Sequence, residues 1–322
     1  MSNVIPKYPE LARMDKRPEI LSVRQVVATE KIHGTNFRVH FPAGMTSPAD
    51  IRFGGRNEVF EPGDDGFYGG RPVRFFKDDP ALVTRMHETF ASYGFGDVTV
   101  FGEAFGSSIQ KGVRYGAPGE VLFRAFDIMV GENFVTYDLF VELCEKMALP
   151  RVPEIWRGEP TLANFDALLE QVSEEGKKNG VDDAENFSEG VVIRANPLLR
   201  DVFGQWLIIK HKSEKFSEVA KRDPGKPKAA GGPAEDFAAT FVVPGRVTNA
   251  LGRLRDAGKK LASDMQDMPL LIPAMVADLE KECKAEWDEA IALGANDKQL
   301  RAAVTKTLGS VYKRMLLESV KG

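Results

Sequence analysis

Two lysine patterns carry the clearest chemistry in the sequence. In Thr29-Glu-Lys-Ile-His-Gly-Thr-Asn-Phe37, Lys31 closes one β-type run, Gly34 supplies a turn, and a second β-type run begins. A lysine amine is a nucleophile only when neutral. Nearby cations or a bound metal can lower its pKa, and a rigid strand end can hold it in line with a phosphorus atom. Gly34 would let the backbone approach a ligand closely. Taken alone, K-x-x-G also describes a solvated lysine in a hairpin. The second pattern is Ile208-Ile-Lys-His-Lys212, in which Lys210 and Lys212 alternate. On a strand both side chains point to one face, where two ammonium groups could neutralise charge on a transferring phosphate.

The elements that must position these groups are short. Runs such as Gln25 to Thr29, Asn36 to Phe41, Val98 to Phe101, Val121 to Ile128, Gly190 to Arg194 and Trp206 to Ile209 have β-type composition. Pro80 to Tyr93, Tyr137 to Met147 and Leu162 to Glu174 have apolar residues at helical spacing. The mixture predicts an antiparallel α+β domain over residues 1–220. Residues 221–236, KRDPGKPKAAGGPAE at their heart, carry Pro and Gly with little apolar bulk and read as a linker. From 237 to 322, helical spacing over Arg246 to Ser263, Leu270 to Leu293 and Asp297 to Glu318 predicts a small all-helical domain, with Asn296-Asp297 as a cap.

The composition bounds the function classes. The 322 residues are 43% hydrophobic and 28% charged, as in ordinary globular proteins, and no apolar stretch approaches the roughly 20 residues of a membrane span. Met1 to Glu10 shows no signal-peptide core, so an intracellular protein is expected. Cys144 and Cys283 both lie in helical patterns and are expected to be reduced, buried thiols. The net charge of −4 rules out holding a polyanion through overall charge. Residues from Phe237 onward carry 13 Lys and Arg against 11 Asp and Glu, so any nucleic-acid contact must come from local patches.

The two lysine patterns bracket three further motifs: Val100-Phe-Gly-Glu-Ala-Phe-Gly106, Phe123-Arg-Ala-Phe-Asp-Ile128 and Ser188-Glu-Gly-Val-Val-Ile-Arg194. In this order the five resemble the signature of the covalent nucleotidyltransferases, and within them the RNA ligase 2-type family of ATP-dependent RNA ligases. The resemblance covers about residues 25 to 218. It implies an antiparallel-sheet, ATP-grasp-like ligase domain followed by helices. It implies that Lys31 attacks the α-phosphorus of ATP, with Lys210 and Lys212 also catalytic. By the same resemblance Glu30 lies near the adenine, His33 near the phosphate, and Asn36 supports the later joining steps. Arg56, in Gly54-Gly-Arg-Asn57, resembles the arginine that contacts the nucleotide sugar and phosphate. Glu103 matches the carboxylate on the ribose hydroxyls, and Phe126 the aromatic that stacks on the adenine. Asp127 is assigned to the metal or hydrogen-bond shell, and Glu189 to the catalytic metal, where a hard oxygen suits Mg²⁺ or Mn²⁺. Arg194 departs from the family, which has lysine at the end of this strand.

The resemblance therefore implies three nucleotidyl transfers: AMP to Lys31, AMP to an RNA 5′-phosphate, and displacement of AMP by a 3′-hydroxyl. The partner expected is RNA, preferably a nicked duplex, in RNA repair, with a monomeric enzyme and no obligate protein partner. Phe241 to Ala250 resembles the start of the helical domain in this family, and Arg246, Arg253 and Arg255 are candidates for phosphate contacts. A minimal ATP-dependent DNA ligase and a capping-type guanylyltransferase are the nearest alternatives. His33 and the helical tail argue against both, since those enzymes usually have aspartate at this position and a β-rich oligonucleotide-binding domain. A noncatalytic RNA-binding protein on the same fold is the third alternative.

Overall fold

In the first unit, alternating apolar residues build two five-stranded sheets. The computed structural model describes residues 5–61, 63–64, 66, 68–106, 109, 112–116, 119–213, 216 and 232–321. The strands are β1 (Ala12–Arg13), β2 (Val26–Glu30), β3 (Thr35–Phe41), β4 (Arg52–Gly54), β5 (Val98–Phe105), β6 (Leu122–Val130), β7 (Asn133–Phe134), β8 (Glu154–Gly158), β9 (Gly190–Ala195) and β10 (Ile208–Lys212). One sheet has the order β1-β10-β9-β2-β8 and the other β4-β3-β5-β6-β7. The α+β class and the antiparallel pairing are as expected. The two-residue β1 runs parallel beside β10, too short to leave a pattern in the sequence.

The second sheet packs one face against three helices, α1 (Arg71–Lys77), α2 (Pro80–Ser92) and α3 (Tyr137–Met147). Phe37, Val39 and Phe41 of β3 point into this core, as do Val98 and Val100 of β5. Helix α2 starts where Asp79 accepts a hydrogen bond from the Leu82 N–H and Pro80 takes the first turn. Helix α3 is capped in the same way by Thr136. The first sheet has its own apolar layer, in which Ile20, Phe165 and Leu168 cover Val26, Ala28, Val191 and Ile193.

The helix expected over Leu162 to Glu174 is two short ones, α4 (Leu162–Ala167) and α5 (Glu174–Lys178). Between them Val172 bridges Phe187, and the Ser173 N–H donates to the Asn186 carbonyl, so the backbone there is committed to another segment.

The chain forms two compact units, residues 1–213 and 214–322. The second unit holds α6 (Pro233–Phe241), α7 (Pro244–Asp256), α8 (Met268–Glu282), α9 (Lys284–Ala292) and α10 (Asp297–Lys321), around Phe237, Leu271, Leu279, Trp287 and Leu300. Residues 221–231 of the expected linker lie outside the described residues. Its end is corrected: α6 begins at Pro233, because proline suits the first helical turn and Glu235 and Asp236 complement the helix N-terminus. The expected helix Leu270 to Leu293 breaks at Cys283. Asn296 caps α10 reciprocally with Gln299.

Arg246 is corrected from a phosphate contact to a buried ion pair. It is fully enclosed, its Nη1 lies 2.6 Å from Asp278 Oδ2, and its Nη2 donates to Cys283 Sγ. Both cysteines are buried free thiols. Among the described residues no helix is long and apolar enough to cross a membrane.

Candidate active site

Three neighbouring strand ends of the first sheet bring the charged groups together. Lys31 directly follows β2, Glu189 directly precedes β9, and Lys212 closes β10. The Lys31 N–H donates to the Gly190 carbonyl, and Lys212 stands opposite Gly190 in the register. Pairing therefore delivers three side chains, far apart in sequence, to one place. Lys31 Nζ lies 3.0 Å from Glu189 Oε2, and Lys212 Nζ lies 3.0 Å from Glu189 Oε1. His33 Nδ1 is 3.1 Å from Glu189 Oε2.

Burial alone would push the Glu189 carboxyl up. The ammonium groups of Lys31 and Lys212, with the His33 hydrogen bond, instead hold it well below the usual carboxylate range. Glu189 is thus an anion that neutralises and orders two cations. Lys31 keeps 22% of its side chain exposed against 9% for Lys212, so it is the more accessible amine. Lys210 shares the Lys212 face of β10, one pleat repeat back.

The turn after Lys31 is held from outside. The His33 N–H donates to Tyr115 Oη at 2.7 Å, and the Tyr115 ring meets Phe105 edge-on. Gly34 makes a close strand approach: a Cβ there would lie 2.4 Å from the Ala104 carbonyl oxygen and 2.9 Å from Glu103 Cγ. Only glycine lets the Lys31 turn rest against β5 beside Glu103. Asn36 pairs with Glu103 across β3 and β5, so both stand on the sheet face opposite the helical core. The Asn36 Oδ1 is buried and has no hydrogen-bond partner among the described residues.

Glu30 points away from Lys31, as adjacent strand residues must. Ser173 Oγ donates to its Oε1 at 2.6 Å and the Glu175 N–H to its Oε2 at 2.9 Å. Burial pushes this carboxyl up, against those two bonds. Its side chain anchors α5, and its backbone N–H donates to the Pro153 carbonyl at 2.9 Å. Glu175 in turn pairs with Arg124, the cross-strand neighbour of Glu103.

Phe126 is the extra residue of a bulge, since Phe101 pairs with Asp127 and Gly102 with Ala125. Its ring packs edge-on against Tyr8. Of the two shells left open for Asp127, metal or hydrogen-bond, its contacts are of the second kind: it is fully buried and takes hydrogen bonds from Tyr8 Oη at 3.1 Å and Arg194 Nη1 at 2.9 Å. Arg56 is exposed in the bend after β4. Sequence reasoning missed Tyr8, Tyr115, Ser173 and Glu175, each of which acts through contacts distant in sequence.

Among the described residues no three His, Cys, Asp or Glu side chains form a ready cage for a metal ion. Glu189 still has hard carboxylate oxygens with acceptor capacity beyond its three partners. That suits a cation held mainly by phosphate oxygens and water.

Two lysine ammonium groups ordered by one carboxylate at adjoining strand ends are an arrangement chemically able to meet phosphate oxygens. The family model described as RNA ligase matches residues 24–211, and the chain belongs to that family. The chain is also similar to solved structures of a Naegleria gruberi RNA ligase. A lysine-to-alanine mutant with ATP and Mn is 17% identical, with TM-score 0.49, covering 66% of this chain and 56% of that one. The same ligase with PPi is 17% identical, with TM-score 0.48, and a lysine-to-methionine mutant with AMP and Mn is 17% identical, with TM-score 0.49; each covers 66% of this chain and 57% of the other. This chain thus spans little more than half the length of the structures it matches.

Changing Glu189 to glutamine preserves shape and removes the charge that orders Lys31 and Lys212. Labelling of the protein by ATP should fall by about 100-fold or more, with folding retained. Labelling within threefold of the unaltered protein would show that Glu189 is dispensable.

Proposed function

We propose that this chain is an ATP-dependent RNA ligase that seals 5′-phosphate and 3′-hydroxyl ends through a lysyl-AMP intermediate. The observation that carries this reading is the convergence of Lys31, His33 and Lys212 on Glu189. In the first step the neutral Lys31 amine attacks the α-phosphorus of ATP. The Nζ–P bond forms as the bond to pyrophosphate breaks, and the amine proton passes to solvent. AMP then moves to an RNA 5′-phosphate oxygen, and a 3′-hydroxyl oxygen finally displaces it to give the phosphodiester.

Glu189 orients Lys31 and Lys212 along one side of the reacting phosphate. Lys212 and Lys210 neutralise charge that develops there, and positioning supplies most of the acceleration. Glu103 faces the sugar, Arg56 the sugar and phosphate, and Phe126 the base, while Asn36 supports the later joining steps. Glu189 would hold a divalent cation, Mg²⁺ or Mn²⁺, which supplies Lewis-acid stabilisation of phosphate oxygens when bound.

The preferred substrate in this reading is a nick in duplex RNA, sealed by a monomer in intracellular RNA repair. In α7, Arg253 shares Asp278 with Arg246, at 2.6 Å, but keeps 42% of its side chain exposed, and Arg255 is half-buried; both retain some surface for phosphates.

A joining assay with ATP and Mg²⁺ on nicked duplex RNA, nicked duplex DNA and single-stranded RNA tests the proposal. Preferential sealing of the RNA nick is expected. Covalent AMP-protein without joining of any substrate would keep the chemistry and discard the substrate. Absence of covalent label would favour a noncatalytic binding protein, and preference for the DNA nick a DNA ligase.

A further inference from the structure

The exposed arginine of the Gly54-Gly-Arg-Asn57 motif stands on a turn that is held from inside. On β3, Phe37, Val39 and Phe41 enter the helical core, which leaves Asn36, Arg38 and His40 on the opposite face. Arg38 is completely buried, yet the hydrogen bonds it makes run to backbone carbonyls. Its Nε donates to Gly55 O at 2.7 Å and its Nη2 to Glu58 O at 2.8 Å. These two carbonyls flank Arg56 and Asn57. Its Nη1 donates to Ile5 O at 3.0 Å and Pro6 O at 2.7 Å, just before Tyr8. Tyr8 in turn holds Asp127 and touches the Phe126 ring.

One guanidinium thus ties together the turn of Arg56 and the segment that leads to Phe126. Burial pushes Arg38 down to about 10, against the pull of Glu58, so the site spends desolvation to keep this cation inside. A planar fork with five donors can serve four carbonyls in different directions, and a lysine with three donors on one nitrogen has no such geometry. The space is made by Gly54, the cross-strand partner of Arg38. A Cβ on Gly54 would lie 2.6 Å from Glu58 O and 3.0 Å from Arg38 Nη2. The glycine of the motif therefore makes room for the group that shapes the motif's turn.

We propose that Arg38 is a positioning residue for nucleotide binding, fixing the backbone on both sides of Arg56 so that its exposed guanidinium meets the ATP sugar and phosphate. The inference rests on the lysyl-AMP ligase reading above and on the place given there to Arg56.

The test compares the unaltered protein with Arg38→Lys, Arg56→Ala and the double variant in adenylate formation from ATP, alongside thermal unfolding. Arg38→Lys should raise the KM for ATP by about tenfold while kcat stays within about threefold, the signature of lost uniform binding. In the Arg56→Ala background, whose KM is already raised, the same change should add little, because coupled residues are non-additive. Gly54→Ala, whose Cβ presses on the Glu58 carbonyl and on the guanidinium that it accepts from without removing either, should reproduce the KM effect and decides the matter if Arg38→Lys does not fold.

An unchanged KM in both Arg38→Lys and Gly54→Ala would overturn the proposal. So would fully additive penalties, because Arg38 would then act independently of Arg56. In either case label on the unaltered protein leaves the ligase reading intact. If Arg56→Ala leaves KM unchanged while label still forms, the place of Arg56 and this proposal fall together, again without touching the ligase reading. If the unaltered protein takes no label, both readings fall.

Discussion

Replacing Lys31 with alanine is expected to abolish covalent labelling by ATP while sparing the joining of RNA whose 5′ end is already adenylylated. The separation follows from the chemistry, because only the first transfer uses the Lys31 amine as attacking group. The site offers a sharper version of the test. Lys31 Nζ makes an ion pair with Glu189 at 3.0 Å, so alanine removes both a nucleophile and a positive charge. Arginine at this position would keep a positive charge beside Glu189, but a guanidinium remains protonated in proteins and has no lone pair to offer phosphorus. Lys31→Arg should therefore also lose label, by more than about 1000-fold. Lys212→Ala should still accumulate some label, since Lys212 contributes charge and the amine at residue 31 remains. Label retained on Lys31→Arg, or mapped to Lys212, would move the nucleophile away from Lys31.

The sequence carried this much because the site is built from strand ends, where residue type and alternation speak directly. Lys31, Lys210, Lys212 and Glu189 each terminate or adjoin an apolar run, and a strand end has few ways to present a long charged side chain. Their meeting place was not legible in the same way. β2, β9 and β10 are neighbours in the sheet but 160 or more residues separate β2 from β9, and pairing between such distant segments leaves no local periodicity. The misreadings follow the same division. Glu30 looks like a ligand contact in its motif, but its acceptors are claimed by Ser173 and Glu175 about 145 residues away. Arg246 sits in a motif with other arginines and gives no sign in sequence that Asp278 encloses it from the next helix. Arg38 looks like an alternating polar residue of a half-exposed strand, whereas it is a buried clamp.

Removing the Asp127 carboxylate should produce the largest loss of stability in the first unit. Arg194 is fully buried, Asp127 is its carboxylate partner at 2.9 Å, and its other contacts are the Phe126 carbonyl at 3.1 Å and the Tyr137 ring. Burial alone would lower the Arg194 pKa, and the Asp127 charge beside it holds it above its ordinary value. Asp127→Ala therefore leaves a buried guanidinium without its counter-charge, a change that typically costs about 3–5 kcal/mol. Urea unfolding followed by Trp156 and Trp206, both in residues 1–213, should show the lowered midpoint. Replacing both members, Asp127→Leu with Arg194→Met, should recover part of the loss, because no isolated charge remains. Arg194→Lys restores the residue type of the family and keeps the charge, but a single nitrogen does not reproduce the fork that reaches both Asp127 and the Phe126 carbonyl. It should cost about 1–2 kcal/mol and also weaken ATP binding, since that carbonyl belongs to the bulge that aims the Phe126 ring. A loss below about 1 kcal/mol for Asp127→Ala would mean that water or another group satisfies Arg194. The bulge would then be held by Tyr8 and the strand pairing alone.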